Sequence, residues 1–314
     1  MSRGKVAWVF PGQGAQYVGM GREMAEAYEE ARTVLAQADE TLGFAISRLC
    51  MEGDEAELRK TENTQPAILT TSIAILRTIQ KQPIPVDYVA GHSLGEFSAL
   101  VAAQALSFET AVKLVRIRGR LMEEAVPAGQ GTMAAVLGME EAVLAEICAA
   151  VTEEGKAVDM ANLNCPGQIV VSGTREGVEE ACRRAKEAGA RRTMMLEVSG
   201  PFHSRLMQPA AEKFRTYLEA AEIADAQVPV VANVTARPVQ EASAIRELLY
   251  RQVASPVRWE ESVRWLLEQG VETFVEIGPG SVLSGLIRKI ERKVQTLQVE
   301  KPADLEKVWA TFAG

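Results

Sequence analysis

A serine between two glycines has the setting that most strongly suggests chemistry in this chain. Ser93 lies in the stretch GHSLG, after an apolar run at 86–90 and before a stretch at 96–106 that is rich in Ala and Leu. A strand, a G-x-S-x-G turn and a helix together form a nucleophile elbow, which exposes the serine oxygen above a sheet at a helix N-terminus. The pattern predicts that Ser93 is a nucleophile. The simpler alternative is a small residue in a tight turn.

A serine nucleophile needs a base, and the chain has only two histidines, His92 and His203. Adjacent side chains in an extended segment point in opposite directions, so His92 is poorly placed to reach the Ser93 hydroxyl. His203, in the stretch SGPFHSRLM, is therefore the predicted base. No Asp or Glu between the two residues stands out as its partner. A backbone or amide carbonyl is an alternative acceptor that would fix the imidazole tautomer.

Two backbone N–H groups are predicted to stabilise an oxyanion. One belongs to Leu94, the residue after the serine. The other belongs to Gln13, which lies between Gly12 and Gly14 in the loop FPGQGAQ after the first predicted strand. This loop lacks the G-K-[ST] of a phosphate-binding loop, and Tyr17 replaces the last glycine of a dinucleotide-binding loop. A plain turn remains the alternative.

One arginine lies on the apolar face of a predicted helix. In the stretch AVKLVRIRGRLMEEA, Arg118 is four residues from both Leu114 and Met122, in the middle of the apolar stripe. A guanidinium keeps its proton when it is buried, so Arg118 must meet an anion. Two partners stay open, an internal Asp or Glu, or the carboxylate of a dicarboxylic acyl substrate held near Ser93.

The order of the predicted elements indicates an α/β protein with a parallel sheet and one insertion. Strand-like runs at 6–10, 86–90, 228–234, 271–277 and 294–299 alternate with helical stretches. Between them, strands at 132–137, 157–163, 168–172 and 192–198 and helices at 140–152 and 175–188 follow the β-α-β-β-α-β order of a ferredoxin-like unit. We therefore predict a large domain, residues 1–127 and 199–314, with a small ferredoxin-like domain at 128–198.

The composition limits the partners and the compartment. The formal net charge of −8 argues against nucleic acid or an anionic membrane as a general partner. No apolar stretch approaches 18 residues and no leader pattern is present, so we expect no membrane contact. The four cysteines form no C-x-x-C pair, which predicts reduced thiols, no metal site and a cytoplasmic location.

Taken together, the motifs resemble the malonyl-CoA:acyl carrier protein transacylase family along essentially the whole chain. The blocks, in order, are FPGQGAQ, TQPA at 64–67, GHSLGEFSALV, RIRGRLMEEAVP, NLNCPGQIVVSG, GPFHS, SPVRW and VEIGPG. The resemblance implies a hydrolase-like core with a ferredoxin-like insertion. It also implies malonyl transfer from malonyl-CoA to holo acyl carrier protein through a malonyl-serine. We expect no cofactor and a monomer.

The resemblance also implies residue roles. Ser93 matches the acylated nucleophile, His203 its base, Arg118 the malonate clamp, and Gln13 and Leu94 the oxyanion donors. Gln252 matches the position whose carbonyl orients the histidine. The positions that match the lining of the site are His92, Gln65, Met122, Asn162 and Asn164, and Phe202 matches a malonyl-selective form of its motif.

Several alternatives stay open. A serine thioesterase or hydrolase needs the same nucleophile and base, and a carrier-binding scaffold without activity is the alternative outside the enzymes. The pathway, fatty acid or polyketide, is also open. Carrier proteins of such systems are acidic, so two basic clusters are candidate docking surfaces. The first comprises Arg183, Arg184, Lys186, Arg191 and Arg192, and the second comprises Arg288, Lys289, Arg292 and Lys293.

Overall fold

The structure is a computed structural model, and it describes residues 4–313. The strands are β1 Lys5–Phe10, β2 Tyr88–Gly91, β3 Gly131–Leu137, β4 Val158–Cys165, β5 Gln168–Thr174, β6 Arg192–Met195, β7 Val230–Val231, β8 Pro238–Val239, β9 Val271–Ile277 and β10 Gln295–Val299. The helices are α1 Arg22–Ala27, α2 Glu29–Leu42, α3 Ile46–Glu52, α4 Glu55–Arg59, α5 Thr61–Ile79, α6 Gly95–Ala102, α7 Phe108–Glu124, α8 Glu141–Glu153, α9 Arg175–Glu187, α10 Gln208–Ala220, α11 Ala242–Gln252, α12 Trp259–Glu268, α13 Val282–Ile290 and α14 Pro302–Phe312.

The larger sheet has the order β10-β9-β1-β2-β7-β8. Its strands are parallel except β8, which runs antiparallel to β7 at the edge. From its second residue onward β1 is buried, as expected of a strand with helices on both faces. The ends of the central strands are in register, because Phe10 pairs with Gly91 and Ala90 pairs with Val231. The loops that follow β1, β2 and β7 therefore meet at one edge of the sheet.

The smaller sheet is antiparallel, with the order β4-β5-β3-β6. Along the chain its elements follow the order β3-α8-β4-β5-α9-β6, which confirms the predicted ferredoxin-like unit. Helices α8 and α9 pack with this sheet around a hydrophobic cluster of their own, which includes Leu144, Val171 and Ala181. The sheet spans residues 131–195, and the proposed domain limits at 128 and 198 stay a prediction.

Strand β4 of the smaller sheet is bonded to segments of the chain that pack around the larger sheet. The backbone of Val257 donates to Ala161 at 2.8 Å and accepts from Leu163 at 2.9 Å. Asp159, also on β4, forms an ion pair with Arg205, and its carboxylate accepts from the Arg205 backbone N–H at 2.8 Å. The small unit is thus bonded to the segments that precede α12 and that follow His203.

Three predicted elements are shorter than expected. The helix after Ser93 ends at Ala102 instead of residue 106, because Gln104 takes a left-handed backbone conformation with φ 60°. The last strand of the small unit ends at Met195, and the strand predicted at 228–234 is reduced to Val230–Val231. In that last case the N–H of Asn233 bonds a buried carboxylate instead of a neighbouring strand. Within residues 4–313, no helix combines the length and the apolar character needed to cross a bilayer.

Candidate active site

Ser93 lies in a strained turn between β2 and α6. Its φ is 52°, a left-handed conformation that non-glycine residues rarely adopt and that is common at functional turns. The glycines on either side are required by close contact. A Cβ on Gly91 would lie 1.9 Å from the carbonyl carbon of Gly95, and a Cβ on Gly95 would lie 2.1 Å from the carbonyl oxygen of Phe10. This is the geometry of a nucleophile elbow.

Asn233, which follows β7, holds this turn in place, and sequence analysis missed it. Its Oδ1 accepts a hydrogen bond of 2.8 Å from the Ser93 backbone N–H, and its Nδ2 donates to the Gly91 carbonyl at 2.7 Å. The available signal was a polar residue directly after an apolar run at a strand's carboxyl end. That position is where loops of a parallel sheet build sites.

His203 contacts Ser93 directly, with Nε2 at 2.7 Å from Oγ. The other ring nitrogen, Nδ1, lies 3.0 Å from the Gln252 carbonyl oxygen and 3.2 Å from the Ser255 carbonyl oxygen. Carbonyls only accept, so Nδ1 carries the proton and Nε2 presents its lone pair to the serine. Burial, and then the Arg118 charge, lower the pKa of His203 to about 3, so the imidazole is neutral at neutral pH.

Arg118 projects from α7 into the same place and is 1% exposed. Its Nη2 donates to Ser93 Oγ and to Gln252 Oε1, both at 3.0 Å, and its Nη1 donates to Gln65 Oε1 at 2.7 Å. The Nε–H has no partner among the described residues. Burial lowers the pKa of Arg118 to about 10, which still leaves it charged. Among residues 4–313 no carboxylate forms a salt bridge with it, so the guanidinium is held by neutral groups.

The loop predicted to supply an oxyanion donor lies against the Ser93 turn. A Cβ on Gly12 would be 2.2 Å from the His92 carbonyl oxygen, so the loop is in backbone contact with the turn. Gly14 has φ 105°, which directs the chain back after Gln13. Leu94 is the residue before the first helical residue of α6, and N–H groups at a helix start lack intrahelical partners. Gln13 and Leu94 therefore both lie next to the Ser93 turn, and the role of their N–H groups as donors stays a prediction.

A cavity of about 120 Å³ opens onto Ser93. Its lining includes ten of the twelve predicted site residues: Gln13, Gln65, His92, Ser93, Leu94, Arg118, Met122, Asn162, Phe202 and His203. Met133, Leu196 and Val198, which sequence analysis did not single out, complete it. The other two predicted residues support the lining from behind. Asn164 Oδ1 is 2.8 Å from His92 Nε2, and Gln252 bonds both Arg118 and His203.

Glu96 is a second site residue that sequence analysis missed. Its side chain is buried on α6, and Oε2 accepts from the Asn233 backbone N–H and from Gln252 Nε2, each at 3.0 Å. Burial raises the pKa of this carboxyl to about 7.

The described part of the chain contains no cluster of three or more His, Cys, Asp or Glu residues that could hold a metal ion. The arrangement has the parts for serine acyl transfer.

A family model described as an acyl transferase domain matches residues 7–304. This chain belongs to the acyl transferase family. Two curated relatives are named malonyl CoA-acyl carrier protein transacylase. The Bacillus subtilis (strain 168) protein is 55% identical over 302 residues, which cover 96% of this chain and 95% of the relative. A Staphylococcus aureus (strain MRSA252) protein is 46% identical, covering 96% and 97%.

Solved acyl transferase structures have the same architecture over nearly the whole chain. An acyl-carrier-protein-S-malonyltransferase from Bartonella henselae has a TM-score of 0.96 at 40% identity, covering 99% of this chain and 100% of the other. A malonyl-transacylase in complex with its type II polyketide synthase acyl-carrier protein has a TM-score of 0.96 at 43% identity, covering 98% and 99%. These matches confirm the predicted fold class and family.

Proposed function

We propose that this acyl transferase moves the malonyl group of malonyl-CoA to the phosphopantetheine thiol of an acyl carrier protein, through a malonyl ester of Ser93. The observation that carries the proposal is the position of one atom. Ser93 Oγ lies 2.7 Å from Nε2 of a neutral imidazole and 3.0 Å from a buried guanidinium that has no carboxylate partner among the described residues. The first contact suits a nucleophile, and the second suits an acyl group that ends in a carboxylate.

In the first half-reaction, His203 Nε2 takes the Ser93 hydroxyl proton as Oγ attacks the thioester carbonyl. The Gln252 and Ser255 carbonyls accept from Nδ1–H and stabilise the imidazolium as it forms, a role that an acid has in other serine enzymes. The N–H groups of Leu94 and Gln13 stabilise the oxyanion. The imidazolium then protonates the departing CoA thiolate, which leaves the malonyl ester on Ser93.

The second half-reaction runs the same steps in reverse. The carrier thiol gives its proton to His203 and attacks the ester carbonyl, and the oxyanion is held by the same two N–H groups. The Ser93 oxygen leaves and recovers its proton. Because malonyl-CoA and the carrier enter one after the other, a single cavity serves both, and free CoA is released before the carrier reacts.

Arg118 is proposed to hold the malonyl carboxylate. In a malonyl ester the carboxylate carbon is three bonds from Oγ, and Arg118 Nη2 lies 3.0 Å from the same oxygen. The carboxylate can therefore replace the hydroxyl as acceptor and use the unpaired Nε–H. Gln65, Met122, Phe202, Asn162 and the His92–Asn164 pair are proposed to shape the rest of the acyl and pantetheine path, because all border the cavity or support its lining.

Carrier docking is proposed at basic surface residues that are not already paired with a carboxylate of this protein. In the first cluster Arg183 and Arg184 are already paired with carboxylates, at 2.8 Å for Arg183–Glu180 and 2.7 Å for Arg184–Glu154. No ion pair involves the second cluster within the described residues. We favour the second cluster for an acidic carrier.

We also propose a cytoplasmic location, which the four unpaired, buried cysteines support.

The test is the intact mass of the protein after mixing with malonyl-CoA alone, with Ser93→Ala in parallel. We expect a malonyl adduct on the wild type, none on Ser93→Ala, and loss of the adduct on addition of holo carrier protein. Steady CoA release without an adduct would identify a hydrolase instead. No adduct and no CoA release, with unreactive Ser93 towards a fluorophosphonate, would identify an inactive scaffold.

A further inference from the structure

Glu96 places a carboxylate in the interior next to the proposed reaction site, and the proposed mechanism does not use it. The residue directly follows the GHSLG turn, is 2% exposed, and accepts hydrogen bonds on Oε2 from Asn233 N and Gln252 Nε2. Buried carboxylates are uncommon unless a charge or several donors compensate them. The two hydrogen bonds alone leave its charge without a direct cationic partner.

The Gln252 side chain connects this carboxylate to Arg118. Its Oε1 accepts from Arg118 Nη2 at 3.0 Å, while its Nε2 donates to Glu96 Oε2 at 3.0 Å. The same Nε2 also lies 3.0 Å from the Ser93 carbonyl oxygen. Because that neighbour only accepts, the amide is fixed with its oxygen towards the guanidinium. Arg118 and Glu96 thus make no direct salt bridge, and their opposite charges are linked through one amide.

Substrate binding changes the charge balance of this buried group. Arg118 and Glu96 alone are one cation and one carboxylate, which offset each other. A malonyl carboxylate at Arg118 adds a second negative charge, so the buried group would carry a net charge of −1. An uncompensated buried charge is costly, and the usual response of a protein is a change of protonation.

We propose that Glu96 is the resident counter-ion of Arg118, acting through the Gln252 amide, and that it takes up a proton from solvent when a carboxylate-bearing acyl group binds at Arg118. The inference rests on the proposed role of Arg118 as the site for that carboxylate. The proton returns to solvent when the malonyl group leaves, so the net transfer reaction is unchanged. Glu96 is therefore a positioning residue that sets the site's preference for an acidic or a neutral acyl group.

Glu96 is the titratable group of this site that is poised near neutral pH. Burial raises the pKa of its carboxyl to about 7, while the attraction of Arg118 opposes that rise. A substrate carboxylate offsets this attraction, so the pKa rises further on binding. Arg118 on α7 is the one charged group that acts on Glu96 among the described residues. His92 and His203, the titratable groups on the β2–α6 turn and before α10, are both neutral because burial lowers their pKa values.

The direct test is proton uptake during acylation, followed with a pH indicator in weakly buffered solution at about pH 7.5, where a carboxyl of this kind is mostly ionised. Malonyl-CoA and acetyl-CoA release the same thiol, so the difference between them isolates the effect of the acyl carboxylate. We expect malonylation to take up about three-quarters of a proton per malonyl-Ser93 formed, beyond any proton change seen with acetyl-CoA. Equal proton changes for the two donors would overturn the inference.

Two variants locate the proton. Glu96→Gln keeps an oxygen that can accept from Asn233 and Gln252, and it should reduce the uptake to the level seen with acetyl-CoA. It should also raise the malonyl-to-acetyl preference, because Arg118 loses its counter-ion. The matched control is Glu276→Gln, another buried carboxylate that accepts two hydrogen bonds, from Leu283 and Ser284 N–H at the start of α13. It should keep the full uptake. Uptake that persists in Glu96→Gln would place the proton elsewhere and refute the assignment.

A measurement on the wild type covers the case in which Glu96→Gln does not fold. The infrared difference spectrum of the malonyl-enzyme minus the acetyl-enzyme should gain the band of a protonated carboxyl, which carbon-13 labelling of the malonyl group leaves in place. Absence of that band would overturn the inference. Failure of the underlying function is distinguishable, because the malonyl adduct would then be missing or its formation would not depend on Arg118.

Discussion

Arg118 Nη2 donates a hydrogen bond of 3.0 Å to Ser93 Oγ, so the buried cation contacts the same oxygen that faces His203. Every hydrogen-bond acceptor of this guanidinium in the described structure is a hydroxyl or an amide oxygen. An incoming carboxylate therefore does not have to displace another carboxylate. It exchanges one neutral acceptor for a charged one at the point where the acyl group is attached.

Arg118→Gln should impair malonyl transfer more than acetyl transfer. The charge-assisted bonds to the malonyl carboxylate are lost, which should cost about 1.5–3 kcal/mol in kcat/KM for malonyl-CoA, roughly 10- to 150-fold. Acetyl-CoA makes no such bonds and should lose less. Arg116→Gln is the matched control, because Arg116 lies on the same helix and contacts Asn63 instead of the cavity. Equal losses for the two donors would argue against the clamp.

The pH dependence of Ser93 reactivity should reflect the lowered pKa of His203. With a pKa of about 3, against about 6.5 for a free histidine, the base stays neutral as the pH falls from about 8 to about 5. Fluorophosphonate labelling of Ser93 should therefore lose little over that range. In Arg118→Gln the second cause of the shift is removed, so the pKa rises and labelling should decline at a higher pH than in the wild type. A wild-type midpoint near 6.5 would contradict the buried, neutral base.

The lowered pKa of His203 should also make the free energy of unfolding depend on pH. An unfolded chain protonates His203 below about pH 6.5, whereas the folded protein does not until its pKa of about 3. The unfolded state therefore binds more protons between these values, and the free energy of unfolding should fall as the pH falls through this window. Urea unfolding of the wild type and of His203→Asn at about pH 7 and about pH 5 measures this fall in the free energy of unfolding. The variant should lose less stability over that interval.

Gly95→Ala should disrupt the Ser93 turn. The added Cβ would lie 2.1 Å from the Phe10 carbonyl oxygen, so the backbone of β1 or α6 must move. We expect a loss of about 3 kcal/mol or more in the free energy of unfolding, and loss of Ser93 labelling. Gly285→Ala is the control, since nothing lies within 4 Å of the place that the added methyl group would take on α13. It should be neutral or stabilising by up to about 1 kcal/mol.

The parts of the site carried by local sequence patterns were predictable. The turn around Ser93 follows from two glycines between a strand and a helix, and Arg118 is conspicuous because a charge lies within an apolar stripe. His203 follows from the scarcity of histidines. For the turn and the arginine, the chemistry constrains residue types that are close together along the chain, and such patterns are readable without a fold.

Residues that act through contacts distant in sequence were not predictable in the same way. Glu96, Asn233 and Gln252 are joined by hydrogen bonds that span up to 156 positions. Each one alone resembles an ordinary helix or loop residue, and only the resemblance to a family singled out Gln252. The shortened strand at Val230–Val231 has the same origin, because a tertiary bond from Asn233 to Glu96 ends it.

Asn233→Ala should weaken both folding and Ser93 reactivity. It removes the partner of the part-buried Ser93 N–H and of the buried Gly91 carbonyl, at a cost of up to about 1–3 kcal/mol for each group. Asn63→Ala is the matched control. Asn63 is also buried and uses both ends of its amide, with Arg116 and with the Glu57 carbonyl, but it lies outside the cavity. It should lose stability in urea and keep its rate of fluorophosphonate labelling, whereas Asn233→Ala should lose both.

Charge reversal should show which of the two basic clusters docks the carrier. Arg288 and Lys289 bond only the neutral groups of Thr296 and Gln168 among the described residues, so their charge is available to an acidic partner. The double variant Arg288→Glu with Lys289→Glu should raise the carrier KM at low salt by about tenfold, on the basis of roughly 0.5–1 kcal/mol for each exposed charge pair, and less at high salt. The rate of self-acylation by malonyl-CoA should change less.

Arg183→Glu is the control, because Arg183 already forms ion pairs with Glu180 and Glu187 and offers little free charge. Its carrier KM should stay near the wild-type value. Both variants are measured as discharge of the malonyl-enzyme over a range of carrier concentrations, which separates docking from acylation. An unchanged KM in the double variant together with a raised KM in Arg183→Glu would move the docking surface to α9, because partner attraction would then outweigh the internal pairs.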